Sequence, residues 1–105
     1  MARVVKPISL TDEEHRMLLA AAKSVRLTVK EFVENVLVVF IAMVNGGTKV
    51  RFHVPQKVNS PKSYAISAEI SEQVKIVSSA NGVSQVNFIY SALTWHLANN
   101  SKVAS

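Results

Sequence analysis

The segment Thr28–Val44 reads TVKEFVENVLVVFIAMV and is the most apolar stretch of the chain. Ser84–Ala98, SQVNFIYSALTWHLA, repeats its layout without a gap. At the one offset that carries Thr28 onto Ser84, Phe32 falls on Phe88, Val33 on Ile89, Val36 on Ala92, Leu37 on Leu93 and Ile41 on Leu97. Each segment opens on a hydroxyl residue, which suits an N-cap because its oxygen accepts a bond from an orphan backbone N–H. Each then places apolar residues at i, i+1, i+4, i+5 and i+9, one face of a helix. The spacing predicts a unit written twice, with these two helices as a shared core.

The same offset extends outward from both helices. Ahead of the first, Thr11-Asp-Glu-Glu puts a hydroxyl before three acids, and Thr11 with Glu14 fits a capping box. The helix it starts is expected to run to about Val25, with Met17, Leu18, Ala21, Ala22 and Val25 on its apolar face. Ser67 stands to Thr11 as Ser84 stands to Thr28, and starts a matching helix with Ile70, Val74, Val77 and Ala80 inward, closed by Asn81-Gly82. Arg26 occupies the position that Gly82 holds in the second unit. Val4–Leu10 and Ser63–Ile66 read as short strands. Pro7 lacks a backbone donor, so the first of these belongs at an edge or in a two-stranded ribbon. The second long helix is expected to fade at Asn99-Asn100, leaving a short frayed tail.

Between the units, Asn45-Gly46-Gly47 stops a helix and Thr48–Val54 (TKVRFHV) alternates. Lys49, Arg51 and His53 fall on one side of that segment, and Val50, Phe52 and Val54 on the other, the pattern of a half-buried strand. Residues 46–66 hold Lys49, Arg51, Lys57 and Lys62 and no acid, whereas basic and acidic residues nearly balance elsewhere, so most of the net charge of +5 sits in the middle. A focused basic patch attracts phosphate backbones. A solvated linker, or an edge strand whose charges block aggregation, is the alternative reading.

With 105 residues the chain is one domain, divisible into 1–46, 47–61 and 62–105. A half of about 50 residues is near the lower limit for burying an adequate core alone, so the two halves are expected to share one. There is no cysteine, hence no disulfide or thiolate metal site. That suits a reducing cytoplasm, the expected location. MARVVKPISL lacks the apolar core of a secretion signal. The longest apolar run, Val36–Val44, is far below the ~20 residues of a membrane span, so no membrane partner is expected. His15, His53 and His96 are isolated and no catalytic or metal motif accompanies them, so no enzyme activity, metal or cofactor is expected. Phe88, Tyr90 and Trp95 at helical spacing read as core and not as a stacking platform for bases. Tyr64 is open, His15 is expected at the surface and His96 partly buried.

Leu10-Thr-Asp-Glu-Glu, the 17-residue step from Leu10 to Leu27, and Thr28-Val-Lys-Glu-Phe-Val-Glu-Asn-Val-Leu together resemble a ribbon-helix-helix unit. Ile66-Ser-Ala-Glu-Ile, Gly82-Val-Ser84 and Asn87-Phe-Ile-Tyr-Ser-Ala92 resemble it again, so the likeness covers roughly 4–45 and 61–99. The resemblance implies a mainly α fold with a small antiparallel β-ribbon: two ribbon-helix-helix units in one chain, forming a pseudo-dimer, similar to tandem members of the family that serve DNA transfer, the TraY type. Thr48–Val54 would be an extra basic strand if it joins the sheet. The implied function is binding of double-stranded DNA, as a transcriptional regulator or a plasmid conjugation accessory factor, with the ribbon in the major groove.

Carried over by position, the outward ribbon set is Val5, Pro7 and Ser9 with Pro61, Ser63 and Ala65. It contains no Arg, Asn or Gln for bidentate base contacts. Ser9 and Ser63 can hydrogen-bond and Ala65 can touch a thymine methyl. Lys6 and Lys62 map inward, from where a long stem can snorkel toward phosphate. Phosphates would be held by the helix N-termini at Thr28, Val29 and Lys30 and at Ser84, Gln85 and Val86, and a plain N-cap is the alternative there. Lys49, Arg51 and His53 complete the expected DNA-binding set. A reading of another class also stands. Val38, Val39, Phe40 and Met43 add apolar surface to the first copy alone. They suit a protein-interaction module, an antitoxin-like partner, or self-association through helix 28–45, unless Val50, Phe52 and Val54 cover them.

Overall fold

The computed structural model describes residues 3–8, 10–50, 52 and 62–104. These form β1 (Arg3–Ile8), α1 (Asp12–Ser24), α2 (Val29–Asn45), β2 (Lys62–Ser67), α3 (Ala68–Ala80) and α4 (Gln85–Ala104). The chain is mainly helical, with a small two-stranded antiparallel sheet.

Local chemistry fixes each helix start. Thr11 Oγ1 accepts from the Glu14 N–H at 3.1 Å while Glu14 Oε1 accepts from the Thr11 N–H at 2.9 Å, a complete capping box. Thr28 and Glu31 repeat it at 3.2 and 3.1 Å. In the second half Ser67 Oγ accepts from the Ile70 N–H at 3.3 Å and Ser84 Oγ from the Asn87 N–H at 3.1 Å. No acid returns the bond there, because Ile70 and Asn87 stand where Glu14 and Glu31 stand in the first half.

The helix ends also repeat. After α1, the Leu27 N–H reaches the Ala22 carbonyl at 3.0 Å and the Arg26 N–H the Lys23 carbonyl at 3.1 Å. After α3, Val83 reaches Ser78 at 3.0 Å and Gly82 reaches Ser79 at 3.1 Å. All four positions keep the offset that relates Thr28 to Ser84. This is a Schellman turn, which needs a left-handed residue at its corner. Arg26 takes φ 58° and Gly82 φ 70°.

The sheet pairs Arg3 with Ser67, Val4 with Ile66, Val5 with Ala65, Lys6 with Tyr64, Pro7 with Ser63 and Ile8 with Lys62. Pro7 and Ser63 face each other and are themselves related by the offset of the helices. The register therefore runs symmetrically about one pair of equivalent positions. Alternation sends Ile8, Tyr64 and Ile66 inward, where all three are buried, and leaves Val5 and Ser63 exposed.

The halves interlock. β1 packs on α4 and β2 on α2, so each strand meets the second helix of the other half. α2 touches α3 and α4, and α1 touches α4. Phe32, Val33, Val36, Leu37 and Ile41 are buried together with Phe88, Ile89, Ala92, Leu93 and Leu97. Two ring pairs relate the halves. Phe32 meets His96 edge-on at 5.0 Å and 81°, and Phe88 meets Phe40 at 5.3 Å and 72°. Phe32 and Phe88 are equivalent positions of the two halves, and so are Phe40 and His96.

Several expectations need correction. α4 continues past Asn99-Asn100 to Ala104, because asparagine disfavours a helix by only a few tenths of a kcal/mol and no Gly or Pro follows. Thr48, Lys49, Val50 and Phe52 lie outside any strand. Val50 and Phe52 instead pack against the helical core, which satisfies their apolar alternation without backbone pairing. Val54 lies outside the described residues. Met17, Val25 and Ala80 are exposed, so the buried stripes of α1 and α3 are narrower than their sequences suggest. Ser78, in the place of Ala22, is buried and its hydroxyl donates to the Lys75 carbonyl at 3.2 Å.

Candidate nucleic-acid interface

The outer face of the ribbon is small and weakly polar. Val5 is 62% exposed, Ser63 is exposed and Ala65 half-buried. β1 begins one residue earlier than the sequence suggests, so Arg3 becomes a ribbon residue opposite Ser67. Hydropathy alternation, which starts at Val4, carries no signal for it. The backbones of Lys6 and Lys62 lie in the ribbon, paired with Tyr64 and Ile8. Their side chains lie outside the described residues, as do Ser9, Arg51, His53 and Pro61 entirely.

The two second-helix N-termini are built differently. At the first, Thr28 and Lys30 are exposed and Val29 is half-buried against the core. Glu31 Oε1 accepts from both the Thr28 N–H at 3.1 Å and the Thr28 hydroxyl at 3.0 Å. Those bonds, the backbone one first, hold the Glu31 carboxyl below its usual range. An anion arriving there meets a carboxylate already seated on the cap, with Lys30 beside it. At the second, Ser84 is exposed and Gln85 and Val86 are half-buried. The first turn of α4 carries no acid, and Asn87 replaces the carboxylate. That N-terminus keeps its positive dipole end without a competing charge. It lacks a lysine too, since Val86 stands where Lys30 stands.

Lys49 is exposed, just after the turn that closes α2. In that turn the Gly47 N–H reaches Val44 at 3.1 Å and the Thr48 N–H reaches Met43 at 3.0 Å. Gly47 has φ 87°, the left-handed conformation this turn requires.

Two cross-half hydrogen bonds leave no mark in the sequence. Tyr90 OH donates to Glu14 Oε2 at 3.0 Å, and His15 Nδ1 is hydrogen-bonded to Tyr64 OH at 2.7 Å. Burial, aided at Tyr90 by Glu14, pushes both phenols up to about 12. Tyr64 is thus core, and His15 is a tie between α1 and β2 where the sequence suggests a surface residue. Phe88 and Tyr90 are buried and Trp95 is half-buried against the core. His96 is partly buried, which pushes its pKa down. Val38 and Val39 remain 51% and 50% exposed, whereas Phe40 is fully buried under Phe52, Phe88 and Trp95.

Among the described residues no group of three or more His, Cys, Asp or Glu is placed to hold a metal ion, and no helix is long and apolar enough to cross a membrane. Comparison of the chain with protein families, with characterised proteins and with solved structures yields no match.

Proposed function

We propose that the chain is a single-chain pseudo-dimer of two ribbon-helix-helix units that binds double-stranded DNA, as a transcriptional regulator or a DNA-transfer accessory factor. The observation that carries this reading is the ribbon register. One of its pairs, Pro7 and Ser63, obeys the same offset as the caps, turns and core positions of the helices. Two strands related in this way form one composite ribbon of the width a major groove admits.

The ribbon's outer positions supply the base contacts. Ser63 offers a hydroxyl and Ala65 a methyl. Phosphates are held at the start of α4, where no carboxylate competes, and at the start of α2, where Lys30 offsets the seated Glu31 carboxylate, with Lys6, Lys49, Arg51 and Lys62 as further cations. Because the halves differ at these points, the site read need not be a palindrome, unlike that of a homodimer.

A salt-titrated binding assay on duplex and single-stranded DNA tests the proposal. Neutralisation of about five phosphates gives a slope of log K against log salt near about −4.5 on duplex. Undetectable duplex binding at low salt overturns the DNA reading. A second reading, a protein-interaction module on α2, is favoured by the half-exposed Val38 and Val39. Self-association through the α2 face, seen by sedimentation in the absence of DNA binding, would support it.

A further inference from the structure

The connector after α2 is tied down at both ends of a short span. At its start Thr48 is hydrogen-bonded to Met43 at 3.0 Å. At its end Phe52 stacks on Phe88, with centroids 5.9 Å apart and planes at 29°, and meets Phe40 edge-on at 6.3 Å. Val50, between them, also packs on the core. Lys49 is exposed within this span. Phe88 belongs to the second half, one helical turn (about 6 Å) beyond the Ser84 cap. From the Cα of Lys49 to the Cα of Phe52 is at most ~11 Å of chain.

A packed connector needs apolar anchors. It does not need an unbroken absence of acids, yet residues 46–66 contain four cations and none of the opposite sign. A cation on an untethered connector would be spread over a large volume, and fixing it on binding would cost conformational entropy. Between two anchors that entropy is lost on folding instead.

We infer that Phe52 is a positioning residue, assisted by Val50, whose docking on Phe40 and Phe88 holds Lys49 as a preorganised contact to the phosphate backbone of DNA, apart from the ribbon. The inference rests on the DNA-binding reading and adds to it a strap that fixes one cation on the side of the second half. The strap acts through place and charge only and carries no sequence information.

The test is the salt dependence of duplex binding for the full chain and for Lys49→Ala, Phe52→Ala, Phe52→Leu and the double variant Lys49→Ala/Phe52→Ala. Each is measured at least about 15 °C below its own melting temperature, well clear of the unfolding transition. Loss of one phosphate contact flattens the log–log slope by about 1. Over a fourfold rise in salt, wild type then loses about 3.5-fold more affinity than the variant. Lys49→Ala flattens the slope by this amount; Phe52→Ala, which leaves the lysine to be ordered on binding, weakens duplex binding at every salt concentration, and the double variant binds no more weakly than Lys49→Ala alone. Phe52→Leu, which keeps apolar volume in the site, restores part of the affinity and serves in place of alanine if Phe52→Ala does not fold. A Phe52 variant with lowered melting temperature but wild-type duplex affinity overturns the inference, because a purely structural residue behaves that way. Additive losses in the double variant also overturn it. Absence of duplex binding by the wild type is a different outcome, and sinks the DNA reading itself.

Discussion

Arg26 and Gly82 occupy the same corner of two equivalent Schellman turns, with φ of 58° and 70°. One carries a side chain and the other does not, so the chain contains both arms of a substitution experiment. For an L-residue the left-handed conformation costs roughly 1–2 kcal/mol. Glycine removes that cost but gives back about 0.4–1 kcal/mol through the greater freedom of the unfolded chain. Arg26→Gly should therefore stabilise the protein by about 0.5–1 kcal/mol. Arg26 is exposed, so little packing is lost. Gly82→Ala should destabilise by a similar amount. A Cβ there would meet nothing within 4 Å, so neither clash nor new contact disturbs the backbone effect.

In a domain of this size about 1 kcal/mol moves the melting temperature by roughly 4–8 °C. Circular dichroism melts should place Arg26→Gly about 3–6 °C above wild type and Gly82→Ala about as far below. The double variant exchanges the two corners and should return near the starting value. A lower melting temperature for Arg26→Gly would refute the reasoning, since it would mean that Arg26 contributes more through contacts than its backbone costs. An unchanged Gly82→Ala would refute it from the other side.

Phe40 is fully buried against the rings of Phe52, Phe88 and Trp95. Phe40→Ala should cost about 3–5 kcal/mol, read as a lowered urea midpoint. The buried phenols set an alkaline limit: Tyr64 and Tyr90 titrate near about 12 in the fold against 10.0 when free. Their folded pKa is raised, so the stability they contribute is complete below about pH 10 and is lost as pH rises through about 12. Ultraviolet titration should show both phenols ionising together with unfolding, and early ionisation of either would count against its burial.

Much of the fold is legible in the sequence because the deciding chemistry is local. A hydroxyl three positions before an acid, as in Thr11 and Glu14, marks a cap whatever surrounds it. The buried faces of α2 and α4 follow from spacing alone. Contacts that cross the halves are not legible. Nothing near His15 points to Tyr64, or near Glu14 to Tyr90, since each pair meets only after strand and helix have docked. The start of β1 at Arg3 escapes because pairing, and not hydropathy, decides whether a charged residue joins a strand. Thr48–Val54 misleads for a related reason. Period-two alternation records which residues are buried, and helices bury Val50 and Phe52 as well as a sheet would. In the candidate interface, the caps at Thr28 and Ser84 are visible in sequence. Seating of the Glu31 carboxylate on the first cap is visible only in three dimensions, where Oε1 comes within reach of two Thr28 donors.

The two edge-on ring pairs explain why one connector suffices for both halves. Phe32 with His96 and Phe88 with Phe40 have nearly the same geometry, yet the residue at the second position differs. An imidazole has polar ring nitrogens and tolerates partial exposure, and the part of it that is buried lowers its pKa by desolvation. A phenyl ring in the same place gains most when it is covered. α2 ends at Asn45, shortly after Phe40, and Phe52 returns to stack beside it on Phe88. At the equivalent place in the second half, His96 is half-buried beside Phe32 and Trp95. The divergence of Phe40 from His96 and the docking of Phe52 are thus two parts of one packing solution. Replacing His96 by phenylalanine, without a second cover, would enlarge the exposed apolar surface beside Phe32 and would not stabilise the protein in proportion to the added ring.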